Sequence, residues 1–169
     1  GLTLPEIANV TDPNNVTDSQ DIDITAEVTD PGTPTVELKY KLNFDADITL
    51  TMYDDGAHND GAASDNVYGA QIPAQAEKTL VRFKVEATNG SGTASNPSAD
   101  DSMEYHGYYI KDPGVTADVP IVEWFISDAN YNDMHTNHVL DNVYLDCVVV
   151  LGDEVYDSSL VRIKGEISR

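Results

Sequence analysis

The stretch "IDITAEV" (Ile22–Val28) alternates without a break: Ile22, Ile24, Ala26 and Val28 are apolar, while Asp23, Thr25 and Glu27 are polar. A period of two puts one set of side chains on each face of an extended backbone, so the stretch reads as a strand with one face buried. "TDPGTP" follows, and Pro31 and Gly32 turn the chain where a strand could not continue. The pattern then resumes. Val36, Leu38, Tyr40 and Leu42 are interleaved with Glu37, Lys39 and Lys41; Ile48, Leu50 and Met52 follow, then Tyr68, Ala70 and Ile72. Val81, Phe83, Val85 and Ala87 alternate with Arg82, Lys84 and Glu86. "TNGSGTASNPSADD" reads as a flexible connection and "MEYHGYYIKD" as a last strand; with "TLPEIANV" at the start the count reaches seven. Seven short strands with turn chemistry between them describe two stacked antiparallel sheets over residues 1–111.

A different pattern begins after "KDPGVTADVP", where Pro113, Gly114 and Pro120 mark residues 112–120 as a linker. "IVEWFI" is a continuous apolar run suited to a strand buried on both faces. Ser127 is placed to cap a short helix through "DANYNDMHTNH", with Asp128 near its positive end. Val143, Leu145, Cys147, Val149 and Leu151 make the next strand, Gly152-Asp153 a tight hairpin, and Val161, Ile163 and Ile167 a final alternating strand. The expected fold is therefore mainly β: a seven-stranded sandwich over 1–111, followed by a small α+β segment over 121–169.

Two stretches carry resemblances. "VELKYKLN", "TMYDDGAHNDGAASDNVYGAQIPAQ" and "VRFKVEATNGSG", in that order, resemble the fibronectin type III-like or immunoglobulin-like modules of large bacterial secreted proteins. "DVPIVEWFISDANYNDM" followed by "VVVLGDEVYDSSLVRIKGEISR" resembles the opening of the spore-coat-protein CotH kinase-like domain, through Tyr156, Val161, Arg162, Lys164, Gly165 and Ser168. The first resemblance implies a sandwich that serves as spacer, support or adhesive module, and an extracellular or cell-surface address. The second implies a larger parent protein with a kinase-like domain whose nucleotide, metal and catalytic residues lie beyond Arg169, so no catalytic residue is assigned to this chain. The chain is accordingly expected to be noncatalytic. The alternatives are the inactive beginning of a CotH-like secreted kinase, or a self-assembling extracellular filament subunit.

Composition narrows the partners. Thirty Asp and Glu face nine Lys and Arg, a formal charge of -21, so nucleic acid and anionic membrane surfaces are disfavoured by Coulomb repulsion. No apolar run approaches a membrane span, and no stretch reads as a signal peptide. The hydrophobic fraction of 40% supports a packed core instead of an acidic tail. A lone cysteine, Cys147, lies in the apolar run "YLDCVVVL" and reads as a small buried hydrophobe. Partners expected are other domains of the parent and, through apolar terminal strands at Leu2–Val10 and Leu160–Ser168, further copies of the chain.

The acidic loop in "TMYDDGAHNDGAASDNVYGA" (Thr51–Ala70) carries Asp54, Asp55, Asp60 and Asp65 among glycines and small residues. Two readings fit it. Four carboxylates with Asn59 and Asn66 nearby supply the oxygen donors calcium prefers, although the EF-hand spacing is absent and no glutamate closes the loop. Alternatively the same aspartates hold turns by accepting backbone N–H bonds. Among weaker candidates, His135 and His138 with Asp133 and Asp141 lack a third strong metal ligand at any known spacing. His58 and His106 read as surface or packing residues. Tyr105, Tyr108, Tyr109 and Trp124 suggest a sugar-stacking platform, but three of them lie near the junction, where burial is the commoner use of an aromatic. Asn15-Val16-Thr17 and Asn89-Gly90-Ser91 match the N-glycosylation pattern, which polar loops produce often by chance. No nucleophile elbow, phosphate-binding loop or dinucleotide fingerprint occurs.

Overall fold

The computed structural model describes residues 3–164. The chain is mainly β, with antiparallel sheets and one short helix. Eleven strands occur among the described residues: β1 (Glu6–Ala8), β2 (Ile22–Thr29), β3 (Thr35–Leu42), β4 (Ile48–Thr51), β5 (Val67–Ile72), β6 (Leu80–Asn89), β7 (Gly92–Asn96), β8 (His106–Tyr109), β9 (Val122–Phe125), β10 (Leu145–Leu151) and β11 (Glu154–Val161). Helix α1 (Asp128–Thr136) lies between β9 and β10.

A first sheet has the order β1-β2-β5 and a second the order β4-β3-β6-β7. The apolar members of the alternating stretches face each other between these two sheets. Ile24, Ala26 and Val28 of β2 and Ile72 of β5 share one buried cluster with Val36 and Leu38 of β3 and with Phe83, Val85 and Ala87 of β6. Here the period of two does what the sequence promised: burying one face removes each of these side chains from water, at roughly 1.5–3 kcal/mol apiece for the larger ones.

Strand β6 is long enough to serve two partners end to end. β7 pairs with Val85–Asn89 and β8 with Leu80–Phe83. The stretch 92–96, expected as part of a flexible connection, is therefore a strand, and among the described residues eight strands lie before residue 112. Its residues, "GTASN", carry no large apolar side chain, so no periodicity announces them; the hairpin is held by the β7 ladder and by the Thr88–Thr93 hydroxyl pair at 2.8 Å.

The third sheet, ordered β11-β10-β9, packs on the outer face of the second. Val148 and Val150 of β10 form a second apolar cluster with Leu80 of β6 and Tyr109 of β8, flanked by Phe125 and Val155. Leu80 and Tyr109 are paired neighbours across β6 and β8, so this cluster lies on the face turned away from the main core. That explains a feature of β6: Leu80, Val81, Arg82 and Phe83 are all buried, because both faces of the strand are covered at that end.

Ser127 caps α1 as expected, its hydroxyl accepting from the Asn130 N–H at 3.1 Å. Three expectations for this segment are corrected. Strand β9 is not buried on both faces, since Val122 and Trp124 are exposed; it is an edge strand with one covered face. Strand β10 begins at Leu145 and not at Val143. The last strand ends at Val161, before Ile163; Ile167, like Leu2, Gly165 and Ser168, lies outside the described residues.

Candidate functional site

The acidic loop leaves the second sheet at the end of β4 and enters the first at β5, tied across by the Tyr53–Gly69 pair of backbone bonds at 3.0 and 2.8 Å. Asp60 is its centre. The residue is 2% exposed, and its carboxylate accepts three backbone N–H bonds: Asp55 and Gly56 donate to Oδ2 at 2.7 and 2.8 Å, and His58 donates to Oδ1 at 2.9 Å. These donors, the Gly56 amide first, hold the Asp60 carboxyl below the usual carboxylate range.

The other three aspartates have comparable duties. Asp54 accepts from the N–H groups of Asp65 and Asn66 at 3.1 and 3.0 Å, stitching the end of the loop to its start. Asp65 accepts from Ala62 and Val67, both at 3.0 Å. Asp55 accepts from the Ala57 N–H and from His58 Nδ1, each at 2.9 Å, and the His58 bond leads the causes that lower its pKa. His58 also stacks on Tyr53 at 4.6 Å between ring centroids. Each carboxylate is thus a local acceptor for its own stretch of backbone. Among the described residues, no three His, Cys, Asp or Glu side chains come together as a metal-binding group.

Glycine geometry shows how tightly the loop sits on the sheet. A Cβ at Gly69 would lie 2.3 Å from the His58 carbonyl oxygen, so only glycine lets the loop pack on β5.

The remaining candidates disperse. His138 lies beyond the end of α1, with Nδ1 2.8 Å from Asp141 and Nε2 3.4 Å from Asp133. His135 donates instead to the Tyr131 carbonyl at 2.9 Å, so the two imidazoles do not form one site. His106 pairs with Asn96 at 2.8 Å and packs on Phe83; burial lowers its pKa. Tyr105, Tyr108 and Tyr109 are buried, whereas Trp124 is exposed. Burial pushes the Tyr105 hydroxyl up to about 12. Cys147 is buried in β10, which raises its pKa.

The interaction that sequence reading missed joins the second and third sheets. Arg82 of β6 and Asp157 of β11 form an ion pair at 2.9 Å, with both side chains almost wholly buried. The second Asp157 oxygen accepts from the Tyr105 N–H at 3.2 Å, and Arg82 Nη2 donates to the Asn43 carbonyl at 2.7 Å. The Phe44 ring covers the guanidinium at 4.9 Å. Beside this pair opens a cleft of about 360 Å³ whose walls include Phe44, Ser127, Asn130 and Cys147. The available signal was an aspartate at an inward position: Val155 and Asp157 share one face of β11, yet only the valine looks like a core residue.

No protein-family model matches the chain, and no curated protein does. Among the described residues, no histidine is hydrogen-bonded to a serine, threonine or cysteine hydroxyl or thiol. The histidine contacts are with carboxylates, an amide and a backbone carbonyl, which are orienting bonds rather than an activated nucleophile.

Proposed function

We propose that this chain is a noncatalytic structural module, a rigid spacer of the immunoglobulin or fibronectin type III kind, in a secreted or cell-surface bacterial protein. The observation that carries the reading is the buried Arg82–Asp157 pair, set beside an apolar cluster that both sheets share. A flexible linker between independent units would leave each with its own closed surface. Here the third sheet completes the burial of β6, so the block transmits orientation from one end to the other. The acidic loop contributes by fastening the two sandwich sheets together through the Tyr53–Gly69 bridge, while Asp60 holds the loop itself in shape.

Backbone ¹⁵N relaxation tests the reading: strands β2–β8 and β9–β11 should report one common rotational diffusion tensor. Separate tensors would defeat the spacer. A calcium series in calorimetry decides between the two readings of the loop. With the carboxylates as turn formers, the melting temperature is the same in EDTA and in calcium. A rise lost in both Asp55→Ala and Asp60→Ala would instead assign a calcium clamp, since a ligand held only by the folded state stabilises by RT ln(1 + [L]/Kd). The CotH resemblance rests on Tyr156 and Val161 in β11 and on Arg162 and Lys164 beyond it, with Gly165 and Ser168 outside the described residues. Magnesium-dependent phosphoryl transfer by the purified chain would overturn the noncatalytic reading.

A further inference from the structure

The third sheet has an outer face whose large apolar side chains are exposed among the described residues. In antiparallel pairs, directly opposed residues lie on the same face. Val122 opposes Leu151, Trp124 opposes Val149, and Val149 in turn opposes Tyr156. Their neighbours one residue along, Val148, Val150 and Phe125, belong to the cluster beneath. The five therefore form one outward patch across three strands, with Trp124 at 51% exposure near its middle. Leu160, opposite Asp146, extends it along β11 and is 60% exposed.

Of the sixteen large hydrophobic side chains that are exposed among the described residues, five lie on this face: Val122, Trp124, Leu151, Tyr156 and Leu160. Contiguous apolar surface containing Trp and Tyr is the usual composition of a binding hot spot.

Charge selects the occupant. Residues 115–164 carry nine acidic side chains against Arg162 and Lys164, and Arg162 already engages Asn142 and the Tyr144 ring. The charged residues in register with the patch, Glu154 opposite Leu151 and Asp146 opposite Leu160, are both acidic. A second copy would bring its own charge of -21 to this border, and an anionic lipid surface would be repelled equally. A basic border complements it.

We propose that the outer face of the third sheet docks a polypeptide partner with an apolar ridge flanked by Lys and Arg. The proposal goes beyond the spacer reading and stands or falls separately from it. Trp124 is the only tryptophan and lies in the patch, so its emission reports occupancy directly. The probe is a synthetic tryptophan-free Leu/Lys amphipathic peptide, titrated against the full chain. The expected result is a saturable blue shift whose affinity falls as salt rises.

A Val122→Glu/Leu151→Glu variant separates this from plain charge attraction. It makes the chain more acidic, so nonspecific adhesion would tighten, whereas loss of the apolar patch should weaken binding on the order of tenfold. Leu160→Glu, farther along the face, should weaken it in the same direction, and both variants should keep the parent circular dichroism. Ile48→Glu, an exposed apolar position on the second sheet, should change nothing. Any of four results would overturn the proposal: an unmoved Trp124 spectrum, an equal shift with polylysine, an equally tight neutral Leu/Gln peptide, or a dimer by light scattering whose formation itself shifts Trp124.

Discussion

Removing the Asp157 carboxylate strikes the contact between the second and third sheets at one point. In Asp157→Ala, Arg82 keeps its bond to the Asn43 carbonyl but loses its counter-charge at 2.9 Å, and the Tyr105 N–H loses its acceptor. Arg82 is only 8% exposed, so water cannot replace the carboxylate without opening the interface. Breaking a buried pair from one side costs about 3–5 kcal/mol, because a charge is left uncompensated. At about 2–4 °C per kcal/mol for a chain of this size, the melting temperature should fall by about 6–20 °C. Urea unfolding followed by far-ultraviolet circular dichroism gives the free energy directly. The companion variant, Arg82→Met/Asp157→Leu, removes both charges and should recover part of the loss, since no charge is left uncompensated, while the Tyr105 N–H and the Asn43 carbonyl stay without these partners. The reasoning is refuted if Asp157→Ala costs less than about 1 kcal/mol, the range of an exposed pair, or if the double variant is no better than the single one.

Further expectations follow from the same contacts. Gly107→Ala should destabilise the chain and expose Trp124's sheet to early proteolysis, because a Cβ there would sit 2.9 Å from Val155 Cγ1 and 3.0 Å from the Val81 carbonyl oxygen; an unchanged cleavage pattern counts against it. Gly69→Ala should lift the acidic loop from β5 and speed hydrogen exchange at Tyr53 and Gly69, whose amides pair across that contact. The Asp60 carboxyl is held below the usual range, so its stabilisation is present above the unfolded-state value near about 3.9 and is lost as pH falls through the folded value. Asp60→Asn should lower the melting temperature at neutral pH and remove part of the acid dependence. The hydrogen bond to Asp141 raises the His138 pKa. Its contribution is therefore complete below about 6.5 and lost as pH rises through the raised value. Imidazole proton shifts should show that midpoint, and Asp141→Asn should move it down.

How much of this was legible depended on whether a residue's role was periodic. Ile22–Val28, Val36–Leu42 and Val81–Ala87 announce strands because alternation and burial coincide, and all three lie in the main core. Gly92–Asn96 was invisible because its pairing rests on backbone bonds that any sequence can make. The run "IVEWFI" misled in the opposite sense: apolar residues on both faces suggested double burial, but Val122 and Trp124 face outward. In the loop, four aspartates look alike in sequence, and only the fold distinguishes Asp60, which is buried under three amides, from half-buried Asp54 and exposed Asp55 and Asp65. The Arg82–Asp157 pair spans 75 residues, and no local pattern relates partners at that distance.

The most direct test of the central claim, that the sandwich and the third sheet form one rigid block, is differential scanning calorimetry of the full chain in EDTA. One endotherm, with the calorimetric and van't Hoff enthalpies equal, is the predicted result. Two separable transitions, with the lower one alone abolished in Asp157→Ala, would contradict it.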